Sequence, residues 1–479
     1  MLFNSYEFLL FLPVALLLYW LLNRWLWAQN LWLVAASYFF YAWWDVRFLI
    51  LIASLTLVGF LAGIGIERLG RESRWGKTFC LFGVLLCIGV LGTFKYYDFF
   101  ASSLQVMLQH FGFAPSFSLL RIVLPIGISF YTFQILSYII DVRNGRIRAC
   151  FDLVAFAAFV CFFPQLVAGP IERATHLIPQ MRGKRTLTYE DAVDGLRQIL
   201  WGFTKKMLVA DRCAPVVEAI YSNPNADGTD LWWAAILFAF QLYCDFSGYS
   251  DIAIGTARLF GIRLIRNFRT PFFSKTTAEF WRNWHMSLMA WFKDYIYIPL
   301  GGSRKGIWRK CLNIFIVFLV SGLWHGANFT FVVWGVYCFL WFLPGIFLGS
   351  VNHKDDQILA EAASPPSLKK FGHMFATFLI FVGGMVFFRS ESIGAAFLRI
   401  GHMFVDVHLH SPYGGLTTLL PAIVMLLVEW VTRKGNHGLD IRGRGILRFR
   451  IVRWLLYYAL IFGIFYWGGR PTAFIYFQF

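Results

Sequence analysis

The sequence predicts an all-α polytopic membrane protein, and three observations carry the prediction. Hydrophobic residues make up 58% of its 479 and charged residues 14%, against roughly 45–50% and about 25% in soluble proteins. No water-soluble packing hides that much apolar surface, so lipid is the solvent for most of the chain. The apolar residues come in runs long enough, or nearly long enough, to cross a bilayer as helices. The formal charge of +17 is spread between those runs, whereas a nucleic-acid binder clusters its basic residues on a polar surface. The bilayer is therefore an expected partner and nucleic acid is not. With no internal repeat in view, 1–479 reads as one integral-membrane domain.

Spans are expected at 6–23, 28–44, 48–66, 78–94, 122–142, 231–258, 311–349, 371–388, 413–431 and 451–469. Residues 1–7 lack a basic start, and no small-residue cleavage site follows the apolar stretch 8–22, so no removable signal peptide is expected. Arg68, Arg71, Arg74 and Lys77 stand in one connection and Arg143, Arg146 and Arg148 in another, whereas 97–120 and 214–230 hold no Lys or Arg. Basic loops stay in the cytoplasm, so counting spans places both termini outside. Two apolar segments, 151–170 and 276–300, have basic residues at both ends. A segment that starts and finishes on one side reads as re-entrant, its broken backbone shielded by protein. Residues 193–213, with Lys205, Lys206 and Arg212 among apolar neighbours, read as an amphipathic helix at the inner interface. Residues 351–370, with Ser364-Pro365-Pro366, read as a cytoplasmic linker. The eight cysteines show no C-x-x-C spacing and are expected as buried free thiols. Gly59 and Gly63 suggest close helix packing.

Function is sought in the polar residues that stay in the apolar centre, where an ionisable group costs roughly 2.5–3.5 kcal/mol on insertion scales. His325 lies midway along 311–349, and Gly326 and Asn328 are able to break the helix beside it. His285 lies on the segment 276–300, where Thr276 and Glu279 form a capping box. Helical spacing would put Trp281, Trp284, Leu288 and Phe292 on one face with His285 at its edge. The two histidines would then converge on a cavity open to the cytoplasm. Each also has a plainer reading, as a histidine that hydrogen-bonds across helices or a tryptophan face that packs. A second cluster, Gln241, Tyr243, Asp245, Ser247, Tyr249 and Asp251, lines one span, and either aspartate is a candidate to orient a catalytic histidine. His408 and His410 have no third ligand in the neighbouring sequence, so no metal site is expected. Phosphate-loop, nucleophile-elbow and H-E-x-x-H signatures are absent.

At these residues the chain resembles the membrane-bound O-acyltransferase (MBOAT) superfamily, in its bacterial polysaccharide O-acetylation branch. The resemblance runs through 1–5, 36–43, Leu124-Pro125-Ile126-Gly127 and Gly169-Pro170-Ile171. It is most specific in 241–251, Trp281-Arg282-Asn283-Trp284-His285, 294–302 and Gly322-Leu323-Trp324-His325-Gly326-Ala327. It implies an MBOAT-like bundle of about 10–12 transmembrane helices, with re-entrant and interfacial helices around a central tunnel, in a bacterial inner membrane. It further implies that His325 is the catalytic histidine, near the neck of that tunnel, and His285 a second functional one. Trp324 and Asn328 flank His325 as supporting residues. The C-terminal aromatic tail 474–479 resembles a motif whose tyrosine, Tyr476 here, accepts the acyl group; the alternative is an aromatic anchor in the interface.

The implied reaction is transfer of acetyl from a cytoplasmic thioester, acetyl-CoA, towards an exported polysaccharide, with an extracytoplasmic acetyltransferase as partner and no bound cofactor. Desolvation favours a neutral imidazole, which is able to take the acceptor's proton. The competing readings are a transporter or channel, which builds central sites from broken helices, and a same-fold enzyme taking its acyl or aminoacyl group from a carrier protein.

Overall fold

A computed structural model describes residues 1–113, 117, 119–349, 367–408, 410–441, 445–469 and 472–477. All regular elements among them are helical. The expected linker 351–370 lies outside the described residues except for its last four, which open a helix. The chain forms two compact units, Met1–Thr188 with Ala257–Ile265, and Tyr189–Thr256 with Arg266–Phe479.

In the first unit helices form where the leading spans are expected, as α1 (Tyr6–Leu21), α2 (Leu26–Ala42), α3 (Phe48–Leu69) and α4 (Arg74–Leu91). Two boundaries differ. Gly92 keeps helical dihedrals and does not stop the chain, so α4 continues through a π turn into α5 (Tyr97–His110), and part of the stretch 97–120 is helix. The span expected at 122–142 begins only at Ile128, as α6 (Ile128–Arg143), because Pro125 lacks an N–H and Gly127 sits at φ +76°. Gly59 and Gly63 let α3 and α6 close together: a Cβ at Gly63 would lie 2.4 Å from the Tyr138 hydroxyl.

The segment 151–170 folds as two short helices, α7 (Leu153–Cys161) and α8 (Phe163–Leu166). Asp152 caps the first, accepting from Val154 and Ala155 N–H at 3.0 Å. Protein groups satisfy the broken backbone. The Phe159 carbonyl accepts from Gln134 and Gln165 side chains, at 3.2 and 2.8 Å, and Phe163 N–H donates to Ser37 at 3.1 Å. This is what a non-helical stretch in an apolar medium requires. A basic helix, α9 (Ala174–Arg182), follows.

The second unit opens with α10 (Tyr189–Phe203), a π turn over Thr204–Ala210, and α11 (Asp211–Tyr221). Then come α12 (Gly228–Leu259), α13 (Thr277–Asn283), α14 (Met286–Phe292), α15 (Ile307–His325) and α16 (Phe329–Phe347). The chain closes with α17 (Leu368–Arg389), α18 (Ile393–Val405), α19 (Leu420–Thr432) and α20 (Arg450–Trp467). Among the described residues, five helical runs are long and apolar enough to cross a membrane: α3, α4 with α5, α15, α16 and α17. α12 is not among them despite its 32 residues. The polar residues along it, Gln241, Asp245 and Asp251 among them, lower its mean hydropathy. α10 and α12 meet backbone to backbone, and a Cβ on Gly202 would stand 2.6 Å from the Gly248 carbonyl oxygen. That approach brings the π turn against the carboxylates of α12.

Candidate active site

His325 is the last residue of α15. Gly326 follows in extended backbone, and Asn328 caps α16 by accepting from Thr330 N–H at 3.0 Å. The long stretch 311–349 therefore breaks beside the histidine, as its glycine and asparagine predict. Asn328 also donates to the Glu391 carbonyl at 3.0 Å, which ties the break to the turn after α17. The imidazole is 4% exposed. It is walled by Trp324, Trp334 and Phe388, with ring centroids at 4.9, 5.0 and 5.2 Å.

His285 overturns one expectation. Residues 277–292 are not one helix with an aromatic face: Thr276 caps α13, accepting from Glu279 N–H at 3.1 Å, while the Glu279 carboxylate accepts from Lys275 N–H at 2.8 Å, but α13 ends at Asn283. Trp284 is extended, and His285 takes the left-handed conformation at φ +43° before α14 starts. A non-glycine residue there costs roughly 1–2 kcal/mol. Asn267 supplies the compensation. Its carbonyl accepts from Met286 N–H at 2.8 Å, and its side-chain oxygen meets Ser287 Oγ at 2.7 Å and His285 Nδ1 at 3.1 Å. With Nδ1–H donated to that oxygen, Nε2 is the atom left for chemistry. The break turns His285 inward, fully buried.

The tail completes the cluster. Phe474 and Ile475 are buried within the second unit, where an interfacial anchor would leave them at the surface. The Tyr476 ring lies 5.6 Å from His325 and 6.1 Å from Trp324. His285 lies 5.6 Å from the same indole. Phe246 of α12 fills the other side, 4.6 Å from His285 and 4.8 Å from Tyr476. The three residues singled out from sequence thus surround one tryptophan.

The α12 carboxylates do not orient either histidine. Asp251 pairs with Lys205 at 2.5 Å and accepts from Gln198 at 2.9 Å. Asp245 pairs with Lys206 at 2.7 Å and accepts from Ile475 N–H at 2.7 Å. The lysines expected at a membrane interface point instead into the unit. A buried carboxylate in an apolar bundle needs a cation, and the nearest are on the π turn. Tyr243 donates to Glu429 of α19, its hydroxyl 2.9 Å from both carboxylate oxygens. Sequence reading missed Glu429 and Asn267. The unpaired count of acids in α12 was the signal for the lysines; Asn267 carried none.

Tyr243, Ser247 and Asp251 line a narrow polar crevice of about 20 Å³, with Lys205, Arg266 and Glu429. Gln241 lines a separate cavity of about 1020 Å³, with Asp211, Arg212, Glu218, Arg389, Thr472 and Ile475. Neither histidine is among the residues lining these two spaces. His408 meets Asp406 at 2.9 Å, and His410 lies 3.6 Å from Asp227 and Asp230, carboxylates the sequence reading had not paired with it. The Asp227 side chain already caps α12, accepting from Asp230 N–H at 2.9 Å.

Apolar crossing helices around a buried imidazole pair describe a class, multi-pass membrane proteins with a polar centre inside the bundle. Comparison with known proteins narrows it. The family described as MBOAT, membrane-bound O-acyltransferase family, matches residues 70–351. The probable alginate O-acetylase AlgI of Pseudomonas putida is 41% identical over 405 residues, covering 84% of this chain and 80% of its own length. Its Pseudomonas aeruginosa counterpart is 42% identical over 405 residues, covering 84% and 75%. The peptidoglycan O-acetyltransferase of Helicobacter pylori is 34% identical over 369 residues, covering 70% and 68%. The chain belongs to the membrane-bound O-acyltransferase family. It is an enzyme, an O-acyltransferase, and the transporter reading falls away.

Proposed function

We propose that this chain is a membrane O-acetyltransferase that moves acetyl from a cytoplasmic thioester, acetyl-CoA, to serve O-acetylation of an exported polysaccharide. The names of its relatives, acetylating alginate and peptidoglycan, support the polysaccharide as acceptor class. The observation that carries the mechanism is the packing of His325, His285 and Tyr476 around Trp324.

His325 acts as general base. It takes the proton of the acceptor hydroxyl as that oxygen attacks the thioester carbonyl. The C–S bond breaks, and the departing thiolate takes up the proton from the imidazolium. His285, its Nδ1–H fixed by Asn267, positions the donor through the Nε2 lone pair, which accepts, and it polarises the donor's carbonyl only as the imidazolium, when Nε2 also carries a proton. Tyr476 is the first acceptor, and its ester then passes the acetyl group to a sugar hydroxyl, with an extracytoplasmic acetyltransferase as partner. The cavity of about 1020 Å³ that Ile475 and Thr472 line is where that second acceptor enters. Trp324, Gln241, Tyr243, Ser247, Asp245, Asp251 and Asn328 support the chamber. The charge pattern favours a bacterial inner-membrane protein with both termini outside and the basic loops on the donor side.

The test is His325→Ala in cells whose exported polysaccharide acetylation is measured. Loss of acetylation with normal expression is expected, and wild-type acetylation sinks the assignment. Tyr476→Phe asks about the relay alone, and unchanged acetylation removes it.

A further inference from the structure

The residues that hold the C-terminal segment are not those that do the chemistry, and they form one connected device. Lys206, on the π turn, reaches four groups. Its ammonium lies 2.7 Å from Asp245, 2.9 Å from Asp211, 3.1 Å from the Thr472 carbonyl oxygen and 3.3 Å from the Thr472 hydroxyl. The Thr472 hydroxyl in turn donates to Asp211 at 2.5 Å. The other oxygen of Asp245 accepts from Ile475 N–H at 2.7 Å. Gly469 N–H donates to the Met207 carbonyl at 3.0 Å, one residue along the same turn. Lys206, Asp211 and Asp245 are each buried.

Two points of the tail, Thr472 and Ile475, are thus fixed through one cation, and Tyr476 is the next residue. We propose that Lys206 is a positioning residue for acyl transfer: it seats the C-terminal segment so that the Tyr476 hydroxyl is presented at the chamber of His325. A charge fits this task better than an apolar plug. Its hydrogen bonds fix direction as well as depth, and a buried ion pair specifies one arrangement even where it adds little net stability. Asp211 and Asp245 face Lys206 from the start of α11 and the middle of α12, so the seat is built from helices. The proposal rests on the reading of Tyr476 as relay, but the seat itself is measurable without any reaction.

The experiment uses the full-length protein in two measurements. In the first, Tyr476→Cys is labelled with a maleimide in detergent micelles, with and without Lys206→Met, and adducts at position 476 and at Cys244 are quantified by mass spectrometry. Cys244 is wholly buried beside Asp245 and reports loss of fold. Labelling at 476 is expected to rise about tenfold in Lys206→Met, by local release, with Cys244 still protected. Thr472→Val, which removes only the tail's hydroxyl, should move it the same way by less. In the second, Lys206→Met in the otherwise native chain is expected to cut polysaccharide acetylation by about 10- to 100-fold. Unchanged labelling at 476 in both variants overturns the seat, and so does Cys244 becoming exposed together with 476 in both. A released tail with wild-type acetylation overturns the positioning role if Tyr476→Phe is inactive. If Tyr476→Phe is fully active, the relay reading fails instead, and labelling alone still decides whether Lys206 seats the tail.

Discussion

Gly202→Ala is a one-methyl change whose two effects oppose each other, and the structure says which wins. In an open helix the substitution gains about 1 kcal/mol. Here the new Cβ would meet the Gly248 carbonyl oxygen at 2.6 Å, Ile252 Cγ1 at 2.7 Å and Ile252 N at 2.9 Å. Two of those atoms are α12 backbone and cannot rotate aside. A carbon–oxygen contact relaxes near about 3.3 Å, so α10 must withdraw by about 0.7 Å. Overpacking of this kind costs about 1–3 kcal/mol. The same withdrawal stretches the Lys205–Asp251 and Lys206–Asp245 pairs, now at 2.5 and 2.7 Å, and a full break of a buried pair costs about 3–5 kcal/mol. Subtracting the helix gain leaves a loss of about 0–2 kcal/mol from overpacking alone, and the stretched pairs add to it, so a net destabilisation is expected. Gly89, with nothing within 4 Å of its would-be Cβ, is the control, and its alanine variant should be neutral or stabilised by up to about 1 kcal/mol. Unfolding of the purified protein in mixed micelles, followed by exposure of Cys244, measures both. A Gly202→Ala protein at least as stable as the wild type refutes the close-contact argument.

Asn267→Ala removes the oxygen that both His285 Nδ1 and Ser287 Oγ reach, at about 0.5–1.5 kcal/mol for each hydrogen bond lost. Acetylation should fall at least about tenfold with expression intact, and an unchanged rate would mean that the imidazole orients itself without Asn267. In the first unit, His176 lies 2.7 Å from the buried Glu172 carboxylate, which raises its pKa above the usual 6.5. The pair's stabilisation should be complete below about pH 6.5 and disappear as pH rises through the elevated value. Melting temperatures of wild type and His176→Gln should therefore differ at pH 5.5–6 and converge towards about pH 8.5. A constant difference across that range refutes the linkage.

Much of the fold was legible because it is written in length and polarity. The breaks at Gly326–Asn328 and Pro164–Pro170 follow from residues that cannot continue a helix, and His325 stood out because no other His, Asp, Glu, Lys or Arg shares its stretch. His285 was found by type but misplaced by geometry. No local rule says that Trp284-His285 should leave the helix, since the cause is Asn267, eighteen residues earlier. Lys205 and Lys206 were misread for a related reason. A lysine beside apolar residues has the same local pattern whether its ammonium reaches headgroups or a carboxylate on another helix. Only the partner decides, and partners are tertiary. Glu429 shows the converse: one acid in an apolar stretch looks incidental until Tyr243 is seen donating to it.

The neutralisation of α12 by the π turn bears on how the chain enters a membrane. Two aspartates near the middle of a helix cost about 2.5–3.5 kcal/mol each on translocon scales, enough to make α12 a poor segment to insert alone. Lys205 and Lys206 lie upstream of it, so a ribosome delivers the counter-charges first. If the two segments partition as a pair, the ionic bonds form during synthesis, and α12 is admitted as half of a hairpin. Biogenesis would then be sensitive to the order of these segments, so that exchanging lysine and aspartate between them should preserve insertion where either single reversal blocks it.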